Sequence, residues 1–130
     1  MKARLPSLLK NRALLALMAG HFTNDMMAGS LPIFYPLLKQ RFHLDNAQVG
    51  LVTLVFTAAG SLAQPVFGGI IDRTARRWFA PAALVWMASF VALWGYAPSY
   101  AAFLAVAALA GLGSAAFHPV AVTGAVALSR

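Results

Sequence analysis

The chain has no cysteine and no glutamate, and its only acidic residues are Asp25, Asp45 and Asp72. Without cysteine neither a disulfide framework nor a thiolate metal site can form, and nothing marks the redox compartment. Charged residues make up 10% of the 130 positions, against roughly 25% in an ordinary soluble domain. The sequence also lacks Ser/Gly linkers, low-complexity tracts and a second polar domain. Its ten basic residues lie between apolar segments instead of gathering in one patch, which argues against a nucleic-acid-binding surface.

What is present is apolar: 61% of the residues, with a mean hydropathy of +0.74. Four segments, near residues 13–38, 47–71, 78–97 and 100–128, each reach the roughly 20 apolar residues a membrane-spanning helix needs. The expected fold is an all-α, polytopic membrane helix bundle whose surroundings are the lipid bilayer. The intervening stretches, KQRFHLDN (39–46), DRTARR (72–77) and APS (97–99), are short enough to make successive helices antiparallel. Asp45 and Gln48 have the spacing of a capping pair, so the second helix should begin there.

Eight of the ten basic residues (Lys2, Arg4, Lys10, Arg12, Arg73, Arg76, Arg77 and Arg130) fall on one side of this topology, and only Lys39 and Arg41 on the other. The positive-inside bias then places both termini and the 72–77 loop in the cytoplasm. Trp78 and Phe79 at one end of the third helix, with Trp94, Tyr96 and Tyr100 at the other, suit the interfacial aromatic belts. A cleaved signal peptide over the first twenty residues is disfavoured, because the apolar run resumes at Met26 with no clear A-x-A site between.

Within the bundle, three helices carry a stripe of small or polar residues. His21, Asn24 and Asp25 are spaced i, i+3, i+4, with Ala28 and Pro32 continuing the same face. Thr53, Thr57, Gly60/Ser61, Gln64 and Gly68 form a stripe on the second helix. Ala107, Gly111, Ser114/Ala115 and His118 form one on the fourth, before Pro119 weakens the backbone ladder. Small residues at this spacing serve close helix packing, and Thr53 and Thr57 can bond the preceding turn of their own helix. Gln64, His21 and His118 fit either a packing role or a site. Asp25 differs: about 20 Å along the first helix it is near mid-bilayer, where a carboxylate costs several kcal/mol and usually marks a cavity or a proton path. The competing role is a carboxyl locked to Gln64 or His118 to hold the bundle together.

Residues 68–77, GGIIDRTARR, resemble the cytoplasmic signature between the second and third helices of the major facilitator superfamily. Gly68, Asp72, Arg73 and the pair Arg76 and Arg77 stand at the signature positions, while Ala75 replaces its usual second glycine. GHFTND in the first helix, QPVFGGIIDR at the end of the second and AGLGSAAFHPVA in the fourth are similar to the fosmidomycin-resistance branch of that superfamily. The resemblance implies a proton-driven exporter, an antiporter of the inner membrane, with twelve helices in two six-helix halves. This chain would supply the first three-helix repeat and the next helix, and would need the remaining helices, a small-molecule substrate and protons as partners. It implies no cofactor and no metal.

Three other readings compete with a part of such a transporter. One is a four-helix transporter acting as a dimer, and another a structural membrane subunit. The third is an intramembrane enzyme or metal site built on His21, Asp25 and His118. The last is weakened by the absence of H-x-x-x-H, H-E-x-x-H and nucleophile motifs.

Overall fold

A computed structural model describes residues 11–74 and 78–129. Among the described residues the secondary structure is helical, without strands. The helices are α1 (Arg12–Gly29), α2 (Tyr35–Phe42), α3 (Asn46–Leu62), α4 (Gln64–Thr74), α5 (Phe79–Ala92) and α6 (Tyr100–Ser129). Short 3-10 turns at Leu31–Phe34 and Trp94–Tyr96 extend α1 and α5.

The expected first helix, 13–38, is divided. Pro32 has no N–H for the Ala28 carbonyl, so the α-helical ladder stops at Gly29 and tightens to a 3-10 turn. Ser30 absorbs the break, its N–H reaching the Met26 and Met27 carbonyls and its Oγ donating to Met27 O at 2.7 Å. The chain then turns helical again, so most of the expected 39–46 loop is helix and only residues 43–45 connect α2 to α3. His43 closes α2 with φ 53°, the left-handed region that side chains rarely enter.

The expected second helix, 47–71, is likewise two pieces, α3 and α4, parted at Ala63 ahead of Pro65. Its start is the expected one: Asp45 Oδ1 accepts from Gln48 N at 2.8 Å, and Gln48 Oε1 accepts from Asp45 N at 2.9 Å. Pro119, by contrast, leaves α6 unbroken to Ser129, with Thr123 Oγ1 donating to the Pro119 carbonyl at 2.9 Å.

Three segments are long and apolar enough to cross a membrane, namely Asn46–Thr74, Phe79–Tyr96 and Tyr100–Ala127. Because α1 carries Arg12, His21, Asn24 and Asp25 and ends at Gly29, it is not one of them, so the fourth expected crossing needs the broken segment from α1 through α2 as a unit.

α6 is the central element, and α1, α3, α4 and α5 all pack on it. Two close approaches set its position. A Cβ on Gly113 would lie 2.8 Å from Met87 Cβ and 2.9 Å from Met87 Cα and N. One on Gly111 would fall on the Phe56 carbonyl oxygen and 3.2 Å from Gly60 N. The small-residue stripe on α6 is thus a packing surface, and Ala107, Ser114 and Ala115 are buried along it. One core, holding Val52, Phe56, Met87, Trp94 and Phe103, fills the end bearing the 43–45 and 97–99 connections. A second, smaller core of Ala83, Ala116, Phe117 and Ala121 lies toward the other end. At the first end the helices are tied by polar bonds as well: Arg41 to the Gly95 carbonyl at 2.8 Å, Tyr100 Oη to the Gln48 carbonyl at 2.8 Å, and Tyr35 with Thr53.

Candidate functional site

Helical spacing on α1 brings His21, Asn24 and Asp25 onto adjoining positions of one face, and packing on α6 brings His118 to meet them. His21 Nε2 lies 3.3 Å from Asp25 Oδ2. Asn24 is buried, and its Nδ2 donates to Asp25 Oδ1 at 3.2 Å. The same Nδ2 lies 3.4 Å from His118 Nε2, an acceptor whenever that nitrogen carries no proton. The His21 and His118 rings meet edge-on with centroids 5.2 Å apart. Four of the five residues singled out for a cavity role therefore form one connected cluster between α1 and α6.

Among the described residues the carboxylate itself is not locked onto another helix. Among the described residues Asp25 bonds only within α1, to Asn24 and His21, and its side chain is 57% exposed on a face that those residues leave open. Asn24 carries the bridge to α6 instead. Its Oδ1 is buried without a partner among the described residues, a state that costs on the order of 1–3 kcal/mol. Rotating that amide would offer Oδ1 to a protonated His118 Nε2 while withdrawing Nδ2 from Asp25. The arrangement can therefore link the proton state of one group to the bonding of the other across two helices.

Phe117, fully buried, forms the wall behind His21 at a ring-centroid distance of 6.1 Å. It also contacts Gly20, where a Cβ would sit 3.1 Å from its ring. Neither residue was singled out in the sequence, because an apolar wall has no signal until its polar neighbour's position is known. A cleft of about 210 Å³ between the α1 segment 14–21 and the α6 segment 121–125 opens onto His21, lined by Leu14, Leu17, Met18, Ala121 and Val122.

Gln64 is not part of the cluster. It is half-buried at the α3/α4 break and makes no hydrogen bond to the four residues among those described. Gly60 and Gly68, on that stripe to either side of the break at Ala63, both face α6, opposite Gly111 and Pro119. Thr57 bonds the Thr53 carbonyl of its own helix at 2.8 Å, as expected, whereas Thr53 pairs across to Tyr35. At the loop signature, Gly68 faces Pro119, with a Cβ there 4.0 Å from Pro119 Cβ. Asp72 and Arg73 are exposed in the last turn of α4. Arg76 and Arg77 lie outside the described residues. Among the described residues no group of three His, Asp or Glu side chains is placed to hold a metal ion.

The family model of the Major Facilitator Superfamily matches residues 17–130, which includes all of these elements except the first turns of α1. The chain belongs to the Major Facilitator Superfamily. Among its superfamily relatives, the fosmidomycin resistance protein of Escherichia coli (strain K12) is 39% identical over 104 residues, covering 80% of this chain and 26% of that protein. The uncharacterized MFS-type transporter YfnC of Bacillus subtilis (strain 168) is 33% identical over 101 residues, covering 76% of this chain and 24% of that protein. The chain thus spans about a quarter of the length of these relatives. No solved structure matches it. Superfamily membership and the apolar helices together make this a multi-pass membrane chain of a transporter family.

Proposed function

We propose that these residues form part of the N-terminal six-helix half of a secondary active transporter, a proton-coupled exporter of small molecules in the inner membrane with its N-terminus in the cytoplasm. The observation that carries the proposal is the connected cluster His21–Asp25–Asn24–His118, which joins α1 to α6 on a face left open. A carboxyl on α1, beside the His21 imidazole and, among the described residues, bonded to no other helix, can take a proton from one side and return it to the other when the cavity switches. The cleft beside His21 supports access from the end that carries the N-terminus of α1. The open face of α1 and α6 is where the remaining helices would close the cavity, since substrates of such proteins bind between repeats that rock against each other. Asp72 and Arg73, exposed at the end of α4, are in position to pair with a neighbouring helix end in one of the two states.

The test is export by the intact gene product in cells lacking their own exporter, with fosmidomycin as the trial substrate because a relative's name refers to it. Asp25→Asn keeps the hydrogen bonding and removes the titration. The proposal requires loss of resistance at normal membrane expression, and near-unchanged resistance would overturn it.

A further inference from the structure

We propose that Asn24 relays the proton state of Asp25 on α1 to His118 on α6 by reversing its side-chain amide. The proposal rests on the reading of Asp25 as the proton carrier and adds the step by which a second helix receives that signal.

Asn24 is 1% exposed and stands between the two groups, its Nδ2 3.2 Å from Asp25 Oδ1 and 3.4 Å from His118 Nε2. An amide nitrogen carries two hydrogens, so this one serves both acceptors at once. Its other end, Oδ1, is buried with no partner among the described residues, so no bond at that end fixes the orientation. Both contacts are also longer than the roughly 2.9–3.0 Å of a typical N–H bond, and the two ends of the amide are nearly equal in size. The proton states of Asp25 and His118 therefore decide which end faces them.

With Nδ2 inward, both neighbours must be acceptors: an ionised Asp25 and a neutral His118 whose hydrogen is on Nδ1. With Oδ1 inward, both must be donors: a protonated Asp25 and a His118 with its hydrogen on Nε2. A mixed pair leaves one contact repulsive in either orientation, so the amide satisfies its neighbours only when neither or both present a hydrogen. When Asp25 takes up one proton, the His118 ring gives its Nδ1 hydrogen to water of the cavity and takes one from it on Nε2. The ring stays neutral, and the net uptake is the one proton on Asp25. His118 Nδ1 changes from donor to acceptor in the same step, so α6 carries a different hydrogen-bonding group in each proton state.

The surrounding charges leave this exchange to the three residues. His21 Nε2 lies 3.3 Å from the other carboxylate oxygen, Oδ2, and by donating there it leaves Oδ1 for the incoming hydrogen; its ring is 5.2 Å from that of His118. Of the helices packed on α1 and α6, α3 and α5 have no ionisable side chain, and α4 has only Asp72 and Arg73, exposed in its last turn. Arg12 is about 14 Å from His21 along α1, Tyr100 is about 27 Å from His118 along α6, and Tyr96 lies in the turn before that far end.

The intact gene product, isotope-labelled in its histidine rings and aspartate carboxyls, is followed by solid-state NMR in lipid bilayers as the pH is lowered. The His118 and Asp25 signals are those absent from His118→Gln and Asp25→Asn. The tautomer ratio of His118 should shift about fivefold toward the Nε2–H form over the interval in which Asp25 takes up its proton, the value of one net hydrogen bond. Asp25→Asn, which does not titrate, should hold the ratio constant through that interval. Asn24→Leu, close in shape and without polar atoms, should leave Asp25 titrating and His118 no longer following it. A wild-type His118 that keeps one tautomer or becomes cationic while Asp25 is protonated overturns the relay, as does a His118 that still follows Asp25 in Asn24→Leu. The wild type and Asp25→Asn decide the matter even where Asn24→Leu fails to fold. None of these readouts involves transport, so the relay and the carrier reading fail separately: gradient-driven export that survives in Asp25→Asn sinks the carrier reading alone, and an Asp25 that takes up no proton before the protein unfolds overturns both.

Discussion

Replacing Gly113 by alanine adds a single methyl group, and its effect can be worked from the helix crossing it would meet. The new Cβ would stand 2.8 Å from Met87 Cβ and 2.9 Å from Met87 Cα and N. All three atoms belong to α5's backbone or its first side-chain carbon, so no rotamer change relieves the clash, and α5 and α6 must separate by several tenths of an ångström along their whole contact. Overpacking of this kind costs about 1–3 kcal/mol, and rigid opposing atoms put the cost at the upper end. Alanine gives back about 1 kcal/mol of helix propensity, which leaves a net loss of about 2 kcal/mol. Gly69→Ala is the matched comparison. It lies inside α4 with nothing within 4 Å of its would-be Cβ, so the propensity gain stands alone and the protein should become more stable by up to about 1 kcal/mol. Unfolding in detergent micelles, titrated with SDS and followed by far-UV circular dichroism, should separate the two variants by about 3 kcal/mol in opposite directions from wild type. Truncating Met87 to alanine in the Gly113→Ala background leaves all three contacting atoms in place and should restore nothing. If Gly113→Ala is as stable as Gly69→Ala, the α5–α6 approach is not as close as the structure has it.

Other outcomes follow from single residues. Asp45→Ala removes the side-chain half of the capping box at α3 and should cost about 1 kcal/mol in the same titration. His43→Gly relieves the left-handed φ of 53° and should stabilise by about 1 kcal/mol, provided the Leu44 N to Lys39 O bond of 3.2 Å is kept. Single cysteines at Thr74 and Asn46, at opposite ends of the segment Asn46–Thr74, should react with a membrane-impermeant thiol reagent from opposite faces, Thr74 from the cytoplasmic one. Labelling of both from one face would contradict the crossing.

The helical bundle was legible in the sequence because apolar run length and the Asp45–Gln48 cap are local signals that survive folding unchanged. The interruptions at Ser30 and Ala63 were not, since Pro32 and Pro65 break a helix only where the freed carbonyls find other partners, and Pro119 shows the opposite outcome inside α6. The cluster was legible to the same degree. The i, i+3, i+4 spacing put His21, Asn24 and Asp25 together, and the α6 stripe pointed His118 at a neighbour. Gln64 makes no bond to the cluster among the described residues, because α1 and α6 alone supply its members. Asn24 as the bridging residue, Phe117 as the wall and Gly113 as the closest helix approach are properties of pairs of helices, and no single-helix pattern contains them.

The central claim is that Asp25 carries the proton that couples transport. The intact protein and its Asp25→Asn variant, reconstituted in proteoliposomes, can be compared in two modes: substrate exchange without a pH gradient, and accumulation driven by one. The account predicts that the variant keeps exchange and loses gradient-driven accumulation. Gradient-driven accumulation at the wild-type rate in Asp25→Asn would contradict it.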